Sequence, residues 1–208
     1  MRLIEICDIS IPVSFGKKQL SAFGGAPARG EYFLDTRKGG SCNCGIYTFS
    51  PHLNGTHTEG VGHITKERIS VPNVGLVEAR LITVKPEKGF IASIRTKPAE
   101  ALIVRTLPNP PAKKTRSYKD WPTFTPDAMK QIVRLGVKHL LVDLPSVDRM
   151  DDAEMANHRI FWRRGVTITE LVYVPARVKD GAYLLNLQVA AFEADAAPSR
   201  PVLYKVKK

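Results

Sequence analysis

An acidic residue in the middle of a strand-forming run is the strongest constraint on how this chain folds. The run is Val166-Thr-Ile-Thr-Glu170-Leu-Val-Tyr-Val174. β-branched and aromatic residues at this density fit a pleated, buried surface. A carboxylate inside such a segment loses its hydration, and the cost stands unless a cation or a hydrogen-bonding partner meets it. The fold must therefore bring a partner to Glu170 from elsewhere in the chain.

Apolar alternation predicts the other strands over residues 2–7, 43–49, 76–84, 101–106, 138–143 and 183–193, with this run covering 166–174. Two helices are expected. Thr125-Pro126-Asp127 opens the first, with Thr as cap, Pro at the first helical position and Asp in the first turn, and Gly136 closes it after Arg134. The second spans about 151–163, with Asp151 and Asp152 in its first turn, and ends near Gly165. Residues 14–41 lack periodicity and read as a long loop or irregular hairpin, a natural place for a substrate lid. Residues 107–123 form a second irregular stretch. Many strands with few helices predict an α/β fold with a mixed, largely antiparallel sheet. At 208 residues, one domain over 1–208 is the simplest organisation.

The histidines supply the partners. Four of the five lie in two clusters: His52-Leu-Asn-Gly-Thr-His57-Thr-Glu59-Gly-Val-Gly-His63, and Asn157-His158-Arg159 on the second helix. Imidazole nitrogens and carboxylates together hold zinc, manganese or iron. His57 and Glu59 are two apart, so in an extended segment they share a face. His63 follows across Gly60 and Gly62, where the chain can turn. This is not the helical His-Glu-x-x-His spacing of zinc proteases. His139, in Val137-Lys-His-Leu-Leu-Val, reads as a packed strand residue. Asp143 and Asp148 read as turn residues after that strand, with support of the metal ligands as the other reading.

The segment from Ser50-Pro51-His52 through Gly55-Thr56-His57-Thr58-Glu59 to His63 resembles the signature of the cyclase-type metal hydrolases. That family includes bacterial kynurenine formamidases and isatin hydrolases. Asn157-His158-Arg159-Ile160 and Glu170 are similar to its second ligand pair, and Asp8-Ile9-Ser10, Val142–Asp148 and Asp180–Leu203 extend the likeness over nearly the whole chain. The resemblance implies a swivelling β/β/α fold and a metal-dependent amidohydrolase acting on C–N bonds other than peptide bonds. It implies that His52, His57, Glu59 and Glu170 hold one metal, and that Glu59, His158 and Glu170 hold a second if one is present. Zinc is the first choice, one or two ions per chain, and manganese the second. His63, outside the ligand set, would act as general base and then acid. A homodimer or higher homo-oligomer is also implied.

Four departures from the family pattern matter. His52 precedes His57 by five residues where the family has four, and Glu59 stands where the family has Asp. Gly60-Val61 replaces the commoner Ala-Pro. The N-terminal third has no tryptophan to lie against an aromatic substrate ring, the only two being Trp121 and Trp162. Phe15, Phe23, Tyr47, Phe49 and Phe161 are candidate pocket walls or core residues. The 14–41 segment carries five Lys or Arg against two acids. These last features predict weak turnover of N-formylkynurenine and a preference for a carboxylate-bearing amide or lactam.

Composition excludes other classes. The net charge of +11 is dispersed, without a nucleic-acid-reading motif, so it reads as a solvated basic surface rather than a nucleic-acid interface. No apolar run approaches the roughly 20 residues that span a bilayer, and the charged N-terminus lacks a signal-peptide core, so a cytoplasmic protein with no membrane partner is expected. Cys7 reads as core, and Cys42 and Cys44 as incidental thiols. The expected function is hydrolysis of a small-molecule amide, lactam or related carbonyl substrate. A metal-dependent lyase or cyclase, or a basic metal-stabilised binding protein without turnover, are the rivals.

Overall fold

The computed structural model describes residues 2–162 and 166–207. Its strands are β1 (Arg2–Asp8), β2 (Arg29–Leu34), β3 (Cys44–Thr48), β4 (His57–Glu59), β5 (Gly75–Val84), β6 (Phe90–Ile91), β7 (Ala101–Thr106), β8 (Thr123–Phe124), β9 (His139–Val142), β10 (Thr167–Glu170), β11 (Gly181–Val189) and β12 (Ala196–Lys207). The helices are α1 (Pro51–Asn54), α2 (Pro126–Arg134) and α3 (Ala156–Trp162).

Eight strands form one mixed sheet in the order β1-β12-β11-β5-β7-β9-β10-β4, and β4 also pairs with β12. The sheet therefore closes into a barrel. β12 makes closure possible through its length. On one edge Ala196–Pro198 pair with β4 and Val202–Lys207 with β1, while Ser199–Tyr204 pair with β11 on the other. β5, β7, β9 and β10 run parallel to one another, and the remaining pairings are antiparallel. This is the mixed α/β architecture with few helices that the sequence predicts.

Of the parallel strands, β7 and β9 are buried on both faces, as their largely apolar sequences allow. In β7, Leu102 and Val104 join a cluster with Met129, Ile132, Phe161 and Trp162 of the helices, while Ala101 and Ile103 face the opposite cluster with Leu81, Leu185 and Leu203. Leu140 and Val142 of β9 follow the first pair and Leu141 the second. α2 begins as expected: Thr125 Oγ1 accepts from Ala128 N at 3.2 Å, and Gly136 takes φ 76° after its end.

Several boundaries differ from expectation. α3 starts at Ala156, not near 151, with no acid in its first turn. Met155 adopts φ 49°, which interrupts any helix, and the Asp152 carboxylate accepts from the backbone of Glu154, Met155 and Ala156 instead. Arg163, Arg164 and Gly165, where that helix was expected to end, lie outside the described residues. β10 stops at Glu170 because Leu171 turns the chain at φ 57°. β11 spans 181–189 rather than 183–193. Within 14–41, residues 29–34 pair with β3 as an irregular hairpin.

Candidate metal centre

The site forms where β4 and β10 meet. Their antiparallel register sets Glu170 opposite His57 and Ile168 opposite Glu59. Cross-strand neighbours share a face, and His57 and Glu59 share it because they are two apart. α1 supplies His52, and a 3₁₀ turn over Val61–His63 brings His63 back over β4. Gly62 permits that turn, since any side chain there would run into the Ile69 carbonyl. His158 enters from α3, whose start is held by Asp148. Its carboxylate accepts from Asn157 N at 2.8 Å, from His158 N at 3.1 Å and from His158 Nδ1 at 2.6 Å.

All six residues singled out in the sequence converge. His52 Nδ1 lies 3.1 Å from Glu59 Oε2, and His158 Nε2 lies 2.9 Å from Glu59 Oε1. His57 Nε2 is 3.5 Å from Glu170 Oε2, and His158 Nε2 is 3.9 Å from Glu170 Oε1. His63 Nε2 stands farther off, 3.8 Å from Glu59 Oε2, and its ring stacks on His52 at 4.3 Å. His52, His57 and Glu59 form one group with ligand atoms within 4.8 Å of one another, and Glu59, His158 and Glu170 form another. The extra residue between His52 and His57 is thus absorbed by α1.

Two atoms test whether a cation fits. His57 Nδ1 is 3.0 Å from the Gly55 carbonyl oxygen. A carbonyl can only accept, so the proton sits on Nδ1 and Nε2 carries a lone pair. That lone pair faces the Glu170 carboxylate, and both His57 Nε2 and Glu170 Oε1 are buried without a hydrogen-bond partner. Buried acceptors left without a partner are unfavourable as they stand. Divalent cations held by the two groups would satisfy both, and nitrogen plus carboxylate is the donor set such ions take.

Without an ion the cluster redistributes protons. Burial, reinforced by the charge of His52, pushes His57 down to about 4. Burial also opposes charge on His158, but hydrogen bonds to Asp148 and Glu59 outweigh it and push the ring up to about 9. Burial disfavours the Glu59 anion, yet hydrogen bonds from His158 and His52 hold its carboxyl well below the usual range. Glu170 goes the other way, raised by burial and then by the charges of Glu59 and Asp148.

A cavity of about 310 Å³ opens over the cluster, walled by Phe23, Met150, Met155 and Arg149. A larger cleft of about 880 Å³ adjoins it, sharing Arg149 and Met150 and lined also by Lys88, Arg116 and Lys119. Of the five aromatic candidates only Phe23 lines the cavity, its ring edge-on to Trp121 at 5.1 Å. Phe161 is core, and Phe15, Tyr47 and Phe49 cluster elsewhere. None of the basic residues of 14–41 lines the cavity. The premise that this segment brings basic charge to the site therefore changes: it reaches the cavity through an aromatic ring, not through its charges.

Other residues fall into place around the site. His139 hydrogen-bonds Thr167 Oγ1 at 2.9 Å, away from the cluster. Asp143 pairs with the buried Lys113 at 2.7 Å and takes no part. Asp148, read as a turn residue, is a direct partner of His158. Asp195, which no sequence pattern singles out, lies 3.1 Å from His52 Nε2 and 3.0 Å from His63 Nδ1.

The comparisons agree with this architecture. A kynurenine formamidase of Bacillus cytotoxicus is 29% identical, with 98% of this chain and 99% of that protein aligned. Among solved structures, a predicted metal-dependent hydrolase from Bacillus stearothermophilus superposes with a TM-score of 0.75 at 14% identity, covering 98% of this chain and 99% of that one. Isatin hydrolase A from Labrenzia aggregata superposes at 0.72 with 13% identity, covering 99% and 94%. At such identities the superpositions speak to the fold. The profile of the Cyclase family matches residues 7–149, more than half of the sequence, and the chain belongs to that family.

Proposed function

We propose that this chain is a metal-dependent hydrolase of an amide, lactam or related carbonyl substrate, closest in activity to an arylformamidase. The observation that carries the reading is the pair of buried, unpartnered acceptors on His57 and Glu170 inside a histidine–carboxylate cluster. The kynurenine formamidase relative, aligned end to end, supports an amide as substrate.

In this reading His52, His57, Glu59, His158 and Glu170 would hold one or two divalent ions. Zinc is preferred and manganese is the alternative, since both accept mixed nitrogen and oxygen donors. A bound ion supplies Lewis acidity, polarising the carbonyl and acidifying water. His63 stands at the cavity with its side chain 26% exposed, whereas His57 and His158 are buried. It is therefore placed to take the attacking water's proton and pass it to the leaving nitrogen as the C–N bond breaks. Phe23 offers the ring of an aromatic amide a surface, and the adjoining basic cleft receives an anionic tail. A homodimer and a cytoplasmic location complete the reading. The three free cysteines, Cys7, Cys42 and Cys44, suit a reducing compartment.

Elemental analysis of tag-free protein, with a panel of N-formyl arylamines, lactams and lactones, tests it. One or two first-row metals per chain and chelator-sensitive hydrolysis are expected. Protein that takes up no stoichiometric metal on reconstitution sinks the hydrolase assignment.

A further inference from the structure

Asp195 stands at the junction of the two histidines that the proposed chemistry treats differently. The segment carrying it is tied to the end of β4: Gly60 N donates to the Asp195 carbonyl at 3.1 Å, and Val71 N to that of Ala194 at 2.9 Å. Its backbone is thereby held relative to Glu59, one residue before Gly60. A single oxygen, Oδ2, lies 3.1 Å from His52 Nε2 and 3.0 Å from His63 Nδ1. A carboxylate oxygen accepts two hydrogen bonds, so both rings donate to it. Their stacking at 4.3 Å and 28° follows from sharing one acceptor.

The consequence is a fixed proton on each ring. With its proton on Nδ1, His63 presents a bare Nε2 to the Glu59 side of the cavity, 3.8 Å from Oε2. With its Nε2 proton committed to Asp195, His52 turns Nδ1 toward Glu59, 3.1 Å from the same oxygen, where it donates to Glu59 and where a bound cation would take the place of that proton. A histidine side chain in water favours the proton on Nε2, so His63 holds the opposite form. Carboxylates that orient histidines are a recurrent feature of metal sites. Here one carboxylate serves a ligand and a base together.

We propose that Asp195 is a positioning residue whose Oδ2 sets the tautomer and orientation of both His52 and His63, leaving His63 Nε2 free to accept a proton. This rests on the reading of His63 as the general base, and part of the test does not need that reading.

Long-range ¹H–¹⁵N spectra of the metal-free protein at alkaline pH report which ring nitrogen is protonated. His63 should carry its proton on Nδ1 in the wild type and on Nε2 in Asp195→Ala. Asp195→Asn, which keeps an acceptor oxygen of the same reach, should retain the Nδ1 form and guards against a misfolded alanine variant. In metal-saturated enzyme Asp195→Ala should lower kcat about 10- to 100-fold with KM unchanged, and Asp195→Asn should recover most of it. A wild-type His63 protonated on Nε2 overturns the proposal. So does full recovery of kcat in Asp195→Ala at saturating metal, which would confine Asp195 to supporting the ligand His52. If no variant and no wild type hydrolyses any amide, the hydrolase reading fails, while the ring-nitrogen result still decides the role of Asp195.

Discussion

At the scale of single residues, the site divides labour between atoms that hold an ion and one that moves protons. His63→Ala should retain the metal and lose roughly 10²- to 10⁴-fold in kcat, the usual worth of a general base. His57→Ala and Glu170→Ala should lose both metal and activity. Metal analysis beside steady-state kinetics checks this, and an empty site in His63→Ala would make His63 a ligand. The metal-free cluster also has a signature in pH. His57, depressed to about 4 in the fold, charges more readily when unfolded, so stability falls as pH drops below 6.5 toward 4. His158, raised to about 9, holds its proton more tightly when folded, so its contribution is full below 6.5 and is lost as pH rises through 9. Glu170, raised as well, acts in the same direction as His158. Below pH 6.5 Glu170 and His57 act in opposite directions, so the clear expectation is on the alkaline side: the melting temperature of metal-free protein should fall as pH rises from 6.5 through 9, and metal should flatten that fall. A melting temperature that instead climbs steadily from pH 6.5 to 9 without metal would contradict the His158–Asp148–Glu59 chain. The ligands were legible in the sequence because each carries its own chemical signal: a glutamate in an apolar strand, histidines among glycines. Asp195 carries none. Its role arises from contacts across 132 and 143 residues of sequence, which no local pattern encodes.

At the scale of elements, long apolar runs were readable and short or interrupted ones were not. β7 and β9 announce themselves because burial on both faces favours apolar residues along nearly the whole strand. β4 has three residues, too few for any alternation, although it carries His57 and Glu59. β12 is the longest strand described and escaped notice because Pro198 and Pro201 interrupt it. Proline removes a ladder donor and normally argues against a strand. Here each sits where its missing N–H leaves the pairing intact, in register with His57 and Leu187 respectively. The β2–β3 hairpin faces solvent along nearly its whole length. Phe33 is 72% exposed, with Tyr32, Leu34, Ile46 and Tyr47 also exposed beside it. Apolar groups gathered in this way mark interaction surfaces more often than chance exposure. The expected homodimer should accordingly weaken in Phe33→Glu. Light scattering at micromolar concentration should give a dimer for the wild type and a lighter species for the variant. A wild-type monomer across that range would remove the dimer from the proposed reading.

At the scale of the whole molecule, barrel closure is what assembles the site. Pairing β4 between β10 and the start of β12 draws together side chains that span residues 52 to 195, with the metal cluster at that seam. The two cavities over the seam then decide which substrate fits. Phe23 gives the inner cavity an aromatic wall, and Lys88, Arg116 and Lys119 give the adjoining cleft positive charge against Asp120 and Asp151. A net charge of +11 adds long-range attraction for anions. An aromatic formamide whose ring bears a carboxylate-terminated chain meets both conditions, with its ring against Phe23 and its chain toward the lysines. N-formylkynurenine is such a molecule, so its turnover should be substantial, reversing the weak turnover that the missing early tryptophan suggests. We expect kcat/KM for N-formylkynurenine of about 10⁴ M⁻¹s⁻¹ or more, within the ordinary range of enzymes, and clearly above that for isatin or for N-formylaniline, which lacks the chain. Phe23→Ala should cost roughly 3- to 10-fold in kcat/KM, the worth of one aromatic contact, at an unchanged metal content. Lys119→Glu should raise KM for N-formylkynurenine but leave N-formylaniline unaffected. Equal values for the two formamides in the wild type would remove the basic cleft from substrate recognition, and N-formylkynurenine turnover far below that of a lactam would return the assignment to the isatin-hydrolase side of the family.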